Sequence, residues 1–293
     1  EGRAARAPSS CLHSRMPRWT WNSLHKACME IDRSSPESLK VGLDLVADLA
    51  ANAFDVNSRT GSKNTALHMS SRQGYPELVR HLLNLGASPT VVNQNEESPL
   101  HHSIIGGDAE TASILINAGV PVDAVDVNDA TALHWLAEEA DYVEVLEVLL
   151  AHNADPNARD KKMDTPLHIA ARSGFVDGIP LLLEAGADPT LTNVKGLTPF
   201  HSACAVNQSE VVELFVELGH SAVTSHPTSD EGETPLHLAA KQKAHSVFDF
   251  LLDLENGLAL ATDASGLTPL HVAEKVGNEY AVQRLQQCVA PVH

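Results

Sequence analysis

One tetrapeptide pattern recurs seven times at nearly constant spacing, and that regularity constrains the fold more than any other property of the chain. The copies are Thr65-Ala66-Leu67-His68, Ser98-Pro99-Leu100-His101, Thr131-Ala132-Leu133-His134, Thr165-Pro166-Leu167-His168, Thr198-Pro199-Phe200-His201, Thr234-Pro235-Leu236-His237 and Thr268-Pro269-Leu270-His271. Their starts lie 33, 33, 34, 33, 36 and 34 residues apart. A degenerate copy, Asn22-Ser23-Leu24-His25, stands 43 residues before the first full one. A period of this length marks an architecture in which each unit packs only on its neighbours. The 293 residues therefore need no single closed core and no division into two domains.

Each residue of the box has a physical task. A Thr or Ser hydroxyl suits a helix N-cap, and proline fits the first helical position, where its missing N–H leaves nothing unsatisfied. Every box therefore starts a helix, and its Leu or Phe points inward. Small residues such as Ala170-Ala171 and Ala239-Ala240 let neighbouring helices approach closely. Gly74, Gly107, Gly174 and Gly277 follow the first helices and permit a left-handed turn. A second apolar run comes next, as in Leu78-Val79-Leu82-Leu83, at helical spacing. Gly186 to Thr190 (Gly-Ala-Asp-Pro-Thr) and its equivalents then break the helix and open a hairpin loop.

This pattern resembles the ankyrin repeat family, whose Thr-Pro-Leu-His-x-Ala motif stands nearly intact at residues 165–170, 234–239 and 268–273. The resemblance covers about residues 22–293. It implies an all-α repeat fold, a solenoid of helix-turn-helix units joined by hairpin loops, with about eight repeats at 22–64, 65–97, 98–130, 131–164, 165–197, 198–233, 234–267 and 268–293. Asp32 to Lys40 reads as an insertion in the first unit. Residues 1–21 form a separate basic arm. The final helix sets Gln283, Arg284, Gln286 and Gln287 beside Val282, Leu285 and Val289, a polar outer face that suits the cap of the array.

Charge and composition exclude several classes of function. The net charge is −18, yet residues 1–29 carry five basic side chains against Glu1 alone, which leaves the rest of the chain at −22. An acidic body repels phosphate backbones, so no nucleic-acid ligand is expected. No stretch reaches the roughly 18 uninterrupted apolar residues of a membrane span. Cys11, Cys28, Cys204 and Cys288 show no CxxC pair and no framework spacing, which fits a reducing, cytoplasmic setting. The Arg- and Ser-rich, acid-poor arm argues the alternative of organelle import, and Met16 is a second candidate start.

Sixteen histidines would ordinarily suggest metal binding, but eight are the fourth residue of a box. Packed helices lie about 8–10 Å apart, so those rings form a spaced ladder and do not converge on one ion. The family resemblance implies that each ring hydrogen-bonds at the junction of hairpin and helix. His101-His102 and the pair His220 and His226 are the weak remaining metal candidates, and no metal or other cofactor is expected. Cys28 and Cys204 share the repeat position of Ala171 and Ala240, which reads as a buried, inert thiol. No nucleophile, base and orienting acid recur as a unit, and no phosphate loop is present. The chain is therefore read as non-enzymatic.

In the family, hairpin tips and the exposed sides of first helices form the concave face on which partners dock. Eleven basic residues fall there, among them Arg59, Arg72, Lys161, Lys162, Arg172, Lys195 and Lys241. An acidic stretch containing Glu97, Asp126, Asp129 and Glu138 lies beside the basic one, whereas most other acids sit on second helices. Trp135 is read either as a partner anchor or as packing between first helices. Arg59, Arg72, Glu97, Asp129, Trp135, Glu138, Lys161, Lys162, Arg172, Lys195 and Lys241 are the expected partner-binding set, and the expected ligand is an elongated protein segment of mixed charge across the third to sixth repeats. The chain is expected to be a monomer or a subunit of a hetero-complex. Two readings of function stand side by side: a non-catalytic interaction module or scaffold, and the regulatory ankyrin portion of a larger enzyme or channel. Asn157 lies in a Leu-spaced Asp-x-Asn hairpin resembling the asparaginyl hydroxylation sites of ankyrin proteins.

Overall fold

A computed structural model describes residues 55–219, 231–242, 245–254 and 256–289, together with residues 40, 42–44, 46–48 and 227. The basic arm, the degenerate first box, Cys11, Cys28, His220 and His226 lie outside the described residues.

Seven boxes start seven helices. In chain order the helices are α1 Ala66–Gln73, α2 Pro76–Asn84, α3 Pro99–Gly106, α4 Ala109–Asn117, α5 Ala132–Glu139, α6 Val143–Ala151 and α7 Pro166–Ser173. They continue as α8 Gly178–Glu184, α9 Pro199–Ala205, α10 Ser209–Glu217, α11 Pro235–Lys241, α12 Ser246–Leu254, α13 Pro269–Val276 and α14 Glu279–Val289. The described residues contain no strand. First helices stack on first helices along α1, α3, α5, α7, α9, α11 and α13, and second helices stack on second helices from α2 to α8 and between α10 and α12. Two parallel layers result, as in the expected solenoid.

Periodicity decides which side chains close the layers. The third box residue is buried in six successive units as Leu67, Leu100, Leu133, Leu167, Phe200 and Leu236. Second helices contribute one stripe each, for example Leu78, Val79 and Leu82, or Val145, Leu146 and Leu149. Phe200 and Phe215 meet edge to face with ring centroids 6.0 Å apart. In α14, Ala281 and Leu285 are buried while Gln283, Gln286 and Gln287 face solvent.

Turn chemistry follows the glycines only in part. Gly74, Gly107, Gly174 and Gly277 take left-handed conformations at φ 63°, 64°, 88° and 69°. In the unit of α5, Ala140 occupies the same corner at φ 59°, so a residue with a Cβ stands where four of its counterparts have none. Successive hairpins are tied to one another through their backbones. Gln94 N–H donates to Ser62 O, Val127 to Asn95 O, Lys161 to Asn128 O, Val194 to Lys162 O and Ala264 to Glu231 O, all at 2.8–3.0 Å. This ladder joins the loops from Ser62 to Val194 into one ledge beside the first helices, and the bond from Ala264 to Glu231 joins the two hairpins that follow.

Candidate protein interface on the hairpin face

The box histidines build the junction that positions the ledge. In the unit of α1, Thr65 N–H donates to His68 Nδ1 at 3.2 Å and the Thr65 hydroxyl lies 2.8 Å from the same nitrogen. A nitrogen that accepts a backbone N–H holds no proton, so Nε2–H donates onward to Glu97 O at 3.1 Å, in the next hairpin. The same relay runs from His101 to Ala130 O, His134 to Asp164 O, His168 to Leu197 O and His237 to Leu267 O, at 2.9–3.1 Å. Each neutral ring thus ties the start of one helix to the next repeat. Burial holds the rings uncharged, pushing His68 down to about 4 and lowering His101, His134, His168 and His237.

A second tie, which the box pattern does not include, sits five residues before five of the seven boxes. Asn93, Asp126, Asp160, Asn193 and Asp263 each accept backbone N–H bonds from residues two and four positions later, at 2.7–3.1 Å. The Asn or Asp recurring at that offset was the available signal. Asp126 is consequently buried at 4% exposure, and its other oxygen accepts from Trp135 Nε1 at 3.2 Å. This corrects the reading of Asp126 as part of a free acidic stretch: its lone pairs are used to fold the hairpin.

Similar internal pairing sorts the expected partner-binding residues. Glu97 accepts from Asn93 and Asn95 and pairs with the buried His102 at 2.9 Å; the bonds from Asn93, Asn95 and His102 hold its carboxyl below the usual range, against its partial burial. Arg172 donates to the buried Asp164 carboxylate at 3.2 Å. Lys241 lies 2.5 Å from the buried Glu233 and 3.9 Å from Glu231. These three charges support hairpins as well as face solvent. Arg59, Arg72, Asp129, Glu138, Lys162 and Lys195 are exposed, and no ion pair within the described residues involves them. Lys161 is exposed too, with Nζ donating to Val127 O at 2.5 Å.

The structure gathers part of this set into one groove. Trp135, Glu138, Lys161, Lys162 and Arg172 line a cleft of about 270 Å³ together with His134. Trp135 is half-buried against the core with its ring 5.3 Å from His101, as the packing reading expects, and its remaining surface lines the cleft. Lys195 and Lys241 line neighbouring clefts, whereas Arg59, Arg72, Glu97 and Asp129 lie outside the Trp135 cleft. The second-helix side is an acidic coat with exposed Glu77, Glu110, Glu144, Glu147, Glu184, Glu210 and Glu213.

Other chemistry is accounted for locally. Cys204 is fully buried, and burial pushes its thiol far above the ordinary range, away from the nucleophilic thiolate. Cys288 is exposed. Among the described residues no three His, Cys, Asp or Glu side chains converge as a metal site, and no helix is long and apolar enough to cross a membrane. Asn157 bridges two repeats: its Nδ2 donates to Gly186 O at 2.9 Å, and its Oδ1 accepts from Asp188 N at 2.8 Å.

The family model for ankyrin repeats matches three times, over residues 67–160, 155–225 and 218–290. The chain is an ankyrin repeat protein. Its repeats are 36% identical over 136 residues to the palmitoyltransferase AKR1 of Lachancea kluyveri, covering 45% of this chain and 18% of that one. They are 32% identical over 153 residues to a transient receptor potential cation channel subfamily A member 1 homolog of Caenorhabditis elegans, covering 52% of this chain and 12% of that one. The chain therefore matches less than a fifth of the length of either relative. The crystal structure of the human ASB11 ankyrin repeat domain superposes with a TM-score of 0.64 at 27% identity, covering 78% of this chain and all of that domain. An ankyrin repeat array is a protein-binding fold, and it generally carries no catalytic centre of its own.

Proposed function

We propose that this ankyrin repeat protein is a non-catalytic interaction module that holds an elongated protein segment of mixed charge along its hairpin ledge, over the third to sixth repeats. One observation carries the reading. On an acidic body, Trp135 and Glu138 share a single cleft with Lys161, Lys162 and Arg172, on a face that the core and the histidine relay hold in place. Opposite charges side by side set which partner docks and in which direction more than how tightly it binds. Reversing both lysines, Lys161→Glu with Lys162→Glu, is expected to weaken capture of the partner from a native extract. Capture equal to that by the unaltered chain refutes the proposal.

A second reading is that the repeats are the regulatory portion of a longer enzyme or channel. Its support is the partial coverage of a palmitoyltransferase and of a channel homolog. The intact mass of the native protein decides between them, since a polypeptide much larger than 31.3 kDa favours the second.

A further inference from the structure

In α5, α7, α9 and α11, the positions four and seven residues after the start of the box line the clefts along the hairpin ledge. Their occupants change abruptly at one repeat. The unit of α5 has Trp135 and Glu138 there, the unit of α7 has Ile169 and Arg172, and the unit of α11 has Leu238 and Lys241. The unit of α9 has Ser202 and Ala205. Side chains that fill the ledge in the neighbours are missing, and a notch results. A cleft of about 590 Å³ opens on the α7 side of α9 and one of about 510 Å³ on the α11 side, with Val194, Lys195, Leu197 and Ala205 lining both.

The notch has the chemistry of a binding pocket rather than a gap. Its walls include Val194, 57% exposed, and Val206, 43% exposed, beside Leu197 and Ala205. Ser202 lines the larger cleft, is 5% exposed, and its hydroxyl has no hydrogen-bond partner among the described residues. Ser70, Ser71 and Ser103, at other positions of first helices, satisfy their hydroxyls on helix carbonyls at 2.7–3.1 Å. An unsatisfied buried hydroxyl costs free energy that a ligand group restores. Of the four cations around the two clefts, Arg172 and Lys241 are neutralised by Asp164 and Glu233, which leaves Lys162 and Lys195 to attract charge from outside.

Resting on the interaction-module reading, we propose that the notch over α9 is the anchor point of the interface. It receives one large apolar side chain of the bound segment, flanked in that segment by carboxylates that meet Lys162 and Lys195. A main-chain carbonyl of the segment accepts the Ser202 hydroxyl. The combined opening is of the size that buries a compact organic group, and apolar walls with a few placed polar groups are the usual makeup of such sites.

The test fills the notch with what the neighbouring repeats already carry. A display library of random twelve-residue peptides is selected on the unaltered chain, and enriched peptides are measured by fluorescence anisotropy. Enriched sequences are expected to place a Leu, Ile, Phe, Met or Trp within three residues of Asp or Glu. Ala205→Arg, an exchange at a surface position, is expected to weaken their binding at least tenfold, as is Lys162→Glu with Lys195→Glu. Ser202→Ile is expected to do the same while the helical circular dichroism stays unchanged. No enrichment, enrichment of peptides without that pattern, or affinity unchanged by Ala205→Arg overturns the notch. If a native partner is lost on reversing Lys161 and Lys162 but kept by Ala205→Arg, the notch fails and the module reading stands. If both variants keep it, both fail.

Discussion

The histidine relay makes stability depend on pH with a sign and a size. His68 titrates near 6.5 when unfolded and at about 4 when folded, because burial and then the neighbouring His102, 5.2 Å away, oppose its charge; Arg59 adds to this, while the Glu97 carbonyl and carboxylate oppose it. The unfolded chain therefore binds the proton more readily, so stability is fully present above pH 6.5 and is lost as pH falls towards 4. With 1.36 kcal/mol per pKa unit, this ring alone withdraws about 3 kcal/mol over the whole window, and about 2 kcal/mol of that is gone by pH 5. His101, His102, His134, His168 and His237 shift in the same direction and steepen the loss. Carboxylates held below their usual range, such as Glu97 and Asp188, add their loss only at lower pH. Urea denaturation at pH 7.5, 6.0 and 5.0, followed by circular dichroism, reads the slope. The variant His68→Gln keeps an acceptor and a donor but no titration, so between pH 7.5 and 5.0 it is expected to lose about 2 kcal/mol less than the unaltered chain. Equal losses refute the reasoning, as does an NMR titration in which the His68 ring protonates near pH 6.5.

Four further outcomes follow from the packing. Asn157→Ala removes both bridges to the next repeat and is expected to cost about 1–2 kcal/mol in a denaturant titration. Ala140→Gly places a residue without a Cβ at φ 59° and is expected to stabilise by up to about 1 kcal/mol, read as a rise in melting temperature. Phe215→Ala empties a fully buried site against Phe200 and is expected to cost about 3–5 kcal/mol. The proposed hydroxylation of Asn157 predicts one added oxygen in the peptide carrying it from native protein, and an unmodified mass removes the proposal.

The sequence by itself determined the repeat, the start of each helix, the inward Leu or Phe and the structural role of the box histidines. Most of these are local: a cap, a proline and a 3.6-residue stripe act within one unit of about 33 residues, and copying the unit copies both them and the histidine tie to the next repeat. The left-handed corners were legible wherever a glycine marked them and hidden at Ala140, where packing imposes the same turn on a residue that disfavours it. Tertiary structure alone decided which charges on the ledge are free. Glu97, Arg172 and Lys241 look alike in sequence to Glu138, Lys162 and Lys195, yet the first three find partners that the folded hairpins bring within 2.5–3.2 Å. The notch over α9 has the same character. Ser202 and Ala205 are unremarkable letters in one repeat, and they become an opening only because the side chains stacked on either side of them are large.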